Sequence, residues 1–341
     1  MNKIGIVSLS SGILGETFVK HQLEIGEKRF KQFGIDYKFL PHALKGLEFI
    51  KKHPECRAND LLTAFKDDSI DIILCAIGGE DTYRLLPYLF ENNELAKVAH
   101  QKIFLGFSDT TMNHFMLNKI GIKTFYGQAF LPDICELANE MLPYTEKYFK
   151  ELILTGMIQE IRPSDVWYEE RVDFSKKAIG INMKKHKNTG FELLAGKPSF
   201  KGKILGGCLE SIYDMFDNSR FADTVSLCSK YQLFPKLEDW QDKILLLETS
   251  EEKPKPELFK KMIRTLKEYG LFDVISGVLV GKPQNNTYYL EYKKILLEEI
   301  SNKDLPIVYN LNIGHATPRC IIPFGIDAEV DVNEQIIRFK Y

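Results

Sequence analysis

An α/β fold is what this sequence predicts: a Rossmann-like parallel sheet in an amino-terminal domain, then a smaller carboxy-terminal α/β domain with a β-rich tail. Three observations lead there. Short apolar runs such as Ile70 to Ile77 are hydrophobic on both faces, as central parallel strands are. Stretches of helical periodicity separate them, and that alternation builds a parallel sheet covered on both sides. At 341 residues the chain is long enough to bury two cores.

The elements follow in order. Lys3 to Ser10 reads as a strand, Gly15 to Phe33 contains a long amphipathic helix, and Asp36 to Leu40 reads as a second strand. A helix over Asn59 to Phe65 would take Asn59 or Asp60 as its cap. The apolar strand Ile70 to Ile77 runs into Gly78-Gly79, a helix near Thr82 to Phe90, and a short strand Lys102 to Gly106. From Thr110 to Lys119, Met112, Phe115, Met116 and Leu117 recur at helical spacing. Lys123 to Tyr126 reads as a strand and Pro143 to Leu154 as a helix. Ile161 to Pro198 is polar, aromatic and irregular, which predicts a linker and active-site loop. The expected domains are therefore 1–160 and 199–341, joined by 161–198.

Regular structure resumes at Lys203-Ile204-Leu205, with a helix from Leu209 to Phe216. Strands are predicted over Lys243 to Glu248, Val274 to Val280 and Pro306 to Tyr309. Helices are predicted over Pro256 to Tyr269, with proline in the first turn, and Tyr289 to Ile300. Ile321 to Tyr341 reads as two or three antiparallel strands turning near Asn333.

Composition excludes several classes. With a net charge of −2 and both signs interspersed, nothing points to a nucleic-acid polymer or a membrane surface as partner. The basic run Lys184-Lys185-His186-Lys187 is short and reads as a solvated loop. The amino terminus enters a strand at once, without the apolar core of a signal peptide, and no 18-residue apolar span occurs. The six cysteines (56, 75, 135, 208, 228 and 320) form no Cys-x-x-Cys pair, so the expectation is a cytoplasmic protein with buried reduced thiols, no disulfide frame and no metal site.

The chemistry centres on Gly106-Phe107-Ser108-Asp109-Thr110-Thr111. A serine on a tight strand-to-helix turn exposes its hydroxyl beside free backbone N–H groups, the geometry of an acyl-transfer nucleophile. A Ser-Asp-Thr run opening a helix is also a plain N-cap, and Thr110 stands where an α/β-hydrolase elbow has its second glycine. Position in the sheet favours the nucleophile: Gly78-Gly79 and Ser108 both lie past the carboxyl ends of parallel strands, where sites form in such sheets.

Of seven histidines, His315 is the best base. It sits in Asn312-Ile313-Gly314-His315-Ala316-Thr317-Pro318, beyond the strand ending in Tyr309, where it can reach across a cleft. A capping or surface role is the plain alternative. Glu248 ends the apolar run Ile244-Leu245-Leu246-Leu247; a carboxylate there is costly unless paired, which makes it the orienting acid. Glu251 and Glu252 read as solvated.

Taken together, these residues resemble the LD-carboxypeptidase family of serine peptidases, and within it the branch typified by microcin C self-immunity proteins. The resemblance runs over nearly the whole chain. Its anchors are Ile77-Gly78-Gly79 with Arg84-Leu85-Leu86-Pro87-Tyr88-Leu89, the Ser108 motif, and Gly202-Lys203-Ile204-Leu205-Gly206-Gly207-Cys208-Leu209. Further anchors are Ile244 to Thr249, Val278-Leu279-Val280-Gly281-Lys282-Pro283, and Gly314-His315 followed by Ile322-Pro323-Phe324-Gly325.

The resemblance implies a Ser-Glu-His triad of Ser108, Glu248 and His315, with the N–H groups of Gly79 and Asp109 as oxyanion hole. It also implies a homodimer and no cofactor. Gly78-Gly79-Glu80-Asp81 departs from the Gly-Gly-Tyr-Gly of classical LD-carboxypeptidases and is closer to the immunity branch, whose members cleave an amide between an acidic residue and a modified nucleotide. The expected substrate is thus a peptidyl- or aminoacyl-nucleotide conjugate, the alternative a muropeptide losing a terminal D-amino acid. Gly78 and Trp167 are further substrate-contact candidates, Trp167 together with Tyr168 and Phe191 either stacking on a base or pinning the loop. Arg84 and Arg319 are candidates for holding a terminal carboxylate. A non-catalytic small-molecule binding protein is the rival from another class. A nicotinamide dehydrogenase is disfavoured, because Ser10-Ser11-Gly12-Ile13-Leu14-Gly15 lacks the first glycine of the dinucleotide fingerprint.

Overall fold

The computed structural model describes residues 3–341. The first sheet comprises β1 (Lys3–Val7), β2 (Asp36–Phe39), β3 (Ile72–Cys75), β4 (Ile103–Gly106) and β5 (Thr124–Tyr126), all parallel, in the order β5-β4-β3-β1-β2, with β3 wholly apolar and buried. Four short strands follow: β6 (Glu160–Ile161), β7 (Val166–Tyr168), β8 (Lys185–Lys187) and β9 (Glu192–Ala195). The carboxy-terminal half adds β10 (Ser199–Cys208), β11 (Ile244–Glu248), β12 (Gly277–Gly281), β13 (Ile307–Leu311), β14 (Ile322–Phe324), β15 (Asp327–Asp331) and β16 (Ile336–Lys340).

The second sheet has the order β6-β16-β15-β10-β11-β12-β13-β9, with β10 to β13 parallel and antiparallel strands on either side. The chain is thus mixed α/β with two parallel-strand sheets. Ile244 to Glu248 and Gly277 to Gly281 are wholly buried, which accords with their apolar character up to Glu248. Among the described residues no helix is long and apolar enough to cross a membrane.

Several expectations need correction. The helix placed at Asn59 begins at Pro54, where proline fits the first turn, and Asp60 is no cap: its buried carboxylate accepts the His42 N–H at 2.9 Å and its ring Nδ1 at 2.8 Å. The helix expected within Gly15 to Phe33 is there, as Lys20–Gln32, preceded by two short 3-10 turns. The 161–198 stretch, expected to be irregular, carries four short strands: β6 and β9 edge the second sheet, and β7 and β8 pair as a ribbon. The tail does not stay together. β14 crosses back to pair antiparallel with β5 in the first sheet, while β15 and β16 extend the second. All six cysteines are free thiols; five are buried and Cys56 is partly exposed.

Candidate active site

β4 ends at Gly106, and the chain turns sharply so that Ser108 sits at φ +66°, an uncommon conformation for a residue with a side chain. Holding it there costs on the order of 1–3 kcal/mol, and such strain persists where surrounding structure imposes it. Thr111 Oγ1 donates to the Ser108 carbonyl at 2.6 Å, and Thr110 Oγ1 to Phe107 at 2.8 Å. The Ser108 N–H goes to the Tyr126 hydroxyl at 3.2 Å.

Across the cleft, β11 delivers Glu248 at its carboxyl end, and the loop after β13 delivers His315. Gly314 permits this approach. Its φ is +75°, and a Cβ there would lie 2.2 Å from Glu248 Oε2. The His315 N–H donates to that same oxygen at 3.1 Å and ring Nδ1 at 2.7 Å, so the Glu248 contact assigns the Nδ1 proton. Ring Nε2 lies 3.0 Å from Ser108 Oγ. Tyr126 donates to the other oxygen, Glu248 Oε1, at 2.6 Å, its phenol kept protonated by burial and by that carboxylate. The buried Glu248 carboxylate is thereby satisfied at both oxygens.

The donors for a developing oxyanion are also near. The Gly79 N–H has no partner among the described residues, and the Asp109 N–H is given to no group outside its own turn. The Asp109 side chain ties the loops together: its buried carboxylate accepts from Ser10 Oγ (2.5 Å), Thr82 N–H (2.9 Å) and Thr82 Oγ1 (2.7 Å).

Ser108, His315, Gly78, Gly79 and Arg319 line one cavity of 630 Å³, within the usual range for small-molecule sites. Not every candidate lies there. Arg84 is outside it, between Asp81 and Asp223. Arg319 lines the cavity but its guanidinium is held by Asp133 at 3.2 Å, over the Phe107 ring. Trp167 does not line the cavity; it stacks on His186 at 4.4 Å and has the Lys282 ammonium 5.1 Å from its ring centre, and Phe191 is buried. His114 is also buried, bonded to Thr124 and the Gly106 carbonyl.

Sequence reasoning missed Tyr126 and Glu251. Tyr126 ends a strand beside the Ser108 turn, a position that marks site residues in parallel sheets. Glu251 is no solvated bystander: its Oε2 lies 3.0 Å from His315 Nε2. Burial alone would lower the His315 value, but Glu248 and then Glu251 outweigh it and raise it to about 10. The hydrogen bond from His315 in turn holds the Glu251 carboxyl down to about 2.

Cys208, Glu248 and His315 bring ligand-type atoms within 4.8 Å of one another. The histidine and glutamate are spent on each other, and burial holds the Cys208 thiol well above its ordinary value, so this is a neutral thiol and a poor metal ligand.

Comparison with known proteins places the chain. The sequence model of the LD-carboxypeptidase N-terminal domain matches residues 4–127, and that of the C-terminal domain residues 201–330. A curated relative, the putative carboxypeptidase YocD of Bacillus subtilis (strain 168), is 27% identical over 301 residues, covering 86% of this chain and 83% of that protein. The crystal structure of an MccF-like protein from Streptococcus pneumoniae in complex with AMP is 68% identical, with a TM-score of 0.99, covering 100% of this chain and 99% of the other. The microcin C7 self immunity protein MccF, solved in complex with aspartyl sulfamoyl adenosine, shares the fold at 20% identity and a TM-score of 0.78, covering 100% of this chain and 96% of the other.

Proposed function

The chain belongs to the LD-carboxypeptidase family of serine peptidases, and from that premise we propose that it hydrolyses the amide of an aminoacyl- or peptidyl-nucleotide conjugate, with Ser108, His315 and Glu248 as its triad. The observation that carries this reading is the continuous line from Ser108 Oγ through His315 (3.0 Å) to Glu248 (2.7 Å), opening into the 630 Å³ cavity. In this mechanism Ser108 attacks the amide carbonyl while His315 Nε2 takes its proton. Glu248 keeps the imidazole oriented and stabilises it once charged. The N–H groups of Gly79 and Asp109 receive the oxyanion, and His315 then protonates the departing amine. Water, deprotonated by His315, releases the acyl group from Ser108.

For the substrate, the strongest support is the AMP carried by the pneumococcal relative at 68% identity. The muropeptide alternative draws on the carboxypeptidase name of the Bacillus relative. It asks for an unpaired cation to hold a terminal carboxylate. Arg319 is paired with Asp133, Arg171 with Glu136, and Arg84 stands outside the cavity. The nucleotide conjugate therefore rests on the AMP complex of the pneumococcal relative, and the arginines give the muropeptide reading no added support.

The test gives wild type and Ser108→Ala an aspartyl-sulfamoyl-adenosine and an L,D-tetrapeptide muropeptide, with products read by mass spectrometry. Ser108-dependent release of aspartate supports the reading. Ser108-dependent loss of the terminal D-residue moves the assignment to wall peptides. Equal turnover by the alanine variant rules out the serine mechanism, and binding without turnover of either favours a non-catalytic role.

A further inference from the structure

One contact in the site is incompatible with base catalysis as it stands. Glu251 Oε2 and Ser108 Oγ both lie 3.0 Å from the same nitrogen, His315 Nε2. With the Nδ1 proton given to Glu248, a neutral ring would aim a bare lone pair at the Glu251 carboxylate. With Glu251 ionised, the contact is favourable only for an imidazolium, and an imidazolium cannot accept the Ser108 proton. The raised His315 value and the depressed Glu251 value accord with such a pair. Glu251 must leave Nε2 before Ser108 can react.

Its surroundings decide what can draw it away. The Glu251 side chain is 67% exposed, and it lines both the large cavity and a smaller one of 110 Å³ that also borders Ser108. The smaller cavity is walled by Glu210, Asp214 and Glu252, with Arg220 as its cation. Arg220 is already shared among Asp214, Glu252 and Glu80. Glu210 Oε1 accepts from both the N–H (2.8 Å) and the hydroxyl (2.6 Å) of Ser250, fixing the loop that carries Glu251. On the large-cavity side, Arg171 and Arg319 are paired with Glu136 and Asp133, and Glu170 accepts from Thr317. Among the described residues lining the two cavities, a displaced Glu251 therefore finds no guanidinium without a carboxylate partner already. An aminoacyl substrate supplies a cation, because its α-ammonium nitrogen lies only about 2.5 Å from the scissile carbonyl carbon.

We propose that Glu251 is a latch on His315 in the empty site and the receptor for the primary α-ammonium of the substrate's acyl residue, so that binding an acyl group with a free amine releases the base. The inference rests on the Ser108–His315 mechanism proposed above. As Glu251 swings to the ammonium, His315 gives its Nε2 proton to solvent, the ammonium keeps its protons, and Nε2 is left free to face Ser108. Glu251 is thus a positioning and specificity residue, acting on the reaction through His315.

Two measurements test it. The first is Ser108 modification by a fluorophosphonate at neutral pH, followed by intact-mass spectrometry. Removing the latch lowers the His315 value, and each unit is worth tenfold in neutral base, so Glu251→Gln and Glu251→Ala should label at least ~10-fold faster than wild type. Glycinamide should accelerate wild type but neither variant, and N-acetylglycinamide should accelerate none. The second compares aspartyl-sulfamoyl-adenosine with its N-acetyl form. Wild type should favour the free amine by roughly 100-fold in kcat/KM, and Glu251→Gln should bring the two within about 5-fold. Labelling that needs Ser108 but ignores Glu251, or equal wild-type turnover of both substrates, overturns the latch and leaves the triad standing. No labelling of Ser108 in any variant overturns both.

Discussion

Replacing Gly78 by alanine tests the reacting geometry without touching a triad residue. A Cβ at this position would lie 2.6 Å from Ser108 Oγ, 2.5 Å from Ser108 Cβ and 3.2 Å from the Asp109 nitrogen. Ordinary contact begins at 3.4 Å, so the hydroxyl and the methyl must separate by a further 0.8 Å. The obstacle is the strained Ser108 turn, pinned by Thr111 and Tyr126, and it has little room to yield. A displacement near 1 Å costs about 10²-fold in rate, and loss of one oxyanion donor about 10²–10³-fold. Gly78→Ala should therefore lower kcat/KM by roughly 10²–10³. Overpacking costs about 1–3 kcal/mol. For 341 residues unfolding together that corresponds to a melting shift of only about 1–4 °C. The assay pairs steady-state kinetics with thermal melting. Activity within about threefold of wild type in a protein of unchanged melting temperature would refute the placement of the double-glycine turn at the reacting atoms.

Three further outcomes follow from the same geometry. Glu248→Gln preserves shape but removes the charge that orients His315, and should cost on the order of 10⁴ in kcat and lower the melting temperature at pH 7, where the buried pair is intact; full activity would remove Glu248 from the triad. Tyr126→Phe deletes the donor to the buried Glu248 Oε1, and loss of a hydrogen bond to a charged group costs about 1.5–3 kcal/mol, so both melting temperature and kcat should fall. The third concerns pH. The His315 value is raised in the folded protein to about 10, so its stabilising contribution is complete below its ordinary value of 6.5 and is lost as pH rises through about 10. The difference in melting temperature between wild type and Glu248→Gln should accordingly shrink from pH 7 towards pH 10.5, and a constant gap would contradict the ion pair.

The parts of this site that were legible in the sequence are those where local chemistry conflicts with local burial. Glu248 closes a run of four buried aliphatic residues, and only a partner makes that tolerable. Ser108 interrupts the passage from a buried strand to a helix, and Gly314-His315 opens a loop past another such strand. Tyr126 and Glu251 were illegible because neither conflicts with its neighbours. A tyrosine is ordinary in a strand, and a glutamate in Thr249-Ser250-Glu251-Glu252 is ordinary in a polar loop; their roles come from partners more than 60 residues away. The same limit explains the helix that starts at Pro54 instead of Asn59, since Asp60 looks like a cap until His42 folds onto it. The destination of β14 was hidden likewise, because an apolar tail strand carries no mark of which sheet it will join.

That crossing strand gives the site its dependence on both halves of the chain. Ser108 and Tyr126 belong to the first sheet, Glu248 and His315 to the second, and contact between them is intimate. The Cys208 N–H donates to Thr111 Oγ1 at 3.0 Å, and a Cβ on Gly207 would strike the same hydroxyl at 2.5 Å. β14 then pairs with β5 immediately beside Tyr126, and Arg319, just before β14, closes on the buried Asp133 of the first half. Separating the halves would strand Glu248 without Tyr126 and Asp133 without Arg319. On separation both carboxylates would exchange these partners for water, so each pair adds little net stability to docking and instead fixes how the halves register. Deleting one partner in the docked protein is the costly change, because it leaves the other charge buried and unpaired. A hydrolytic centre divided between two sheets thus owes the 3.0 Å contact between Ser108 and His315 to the register that these buried contacts impose.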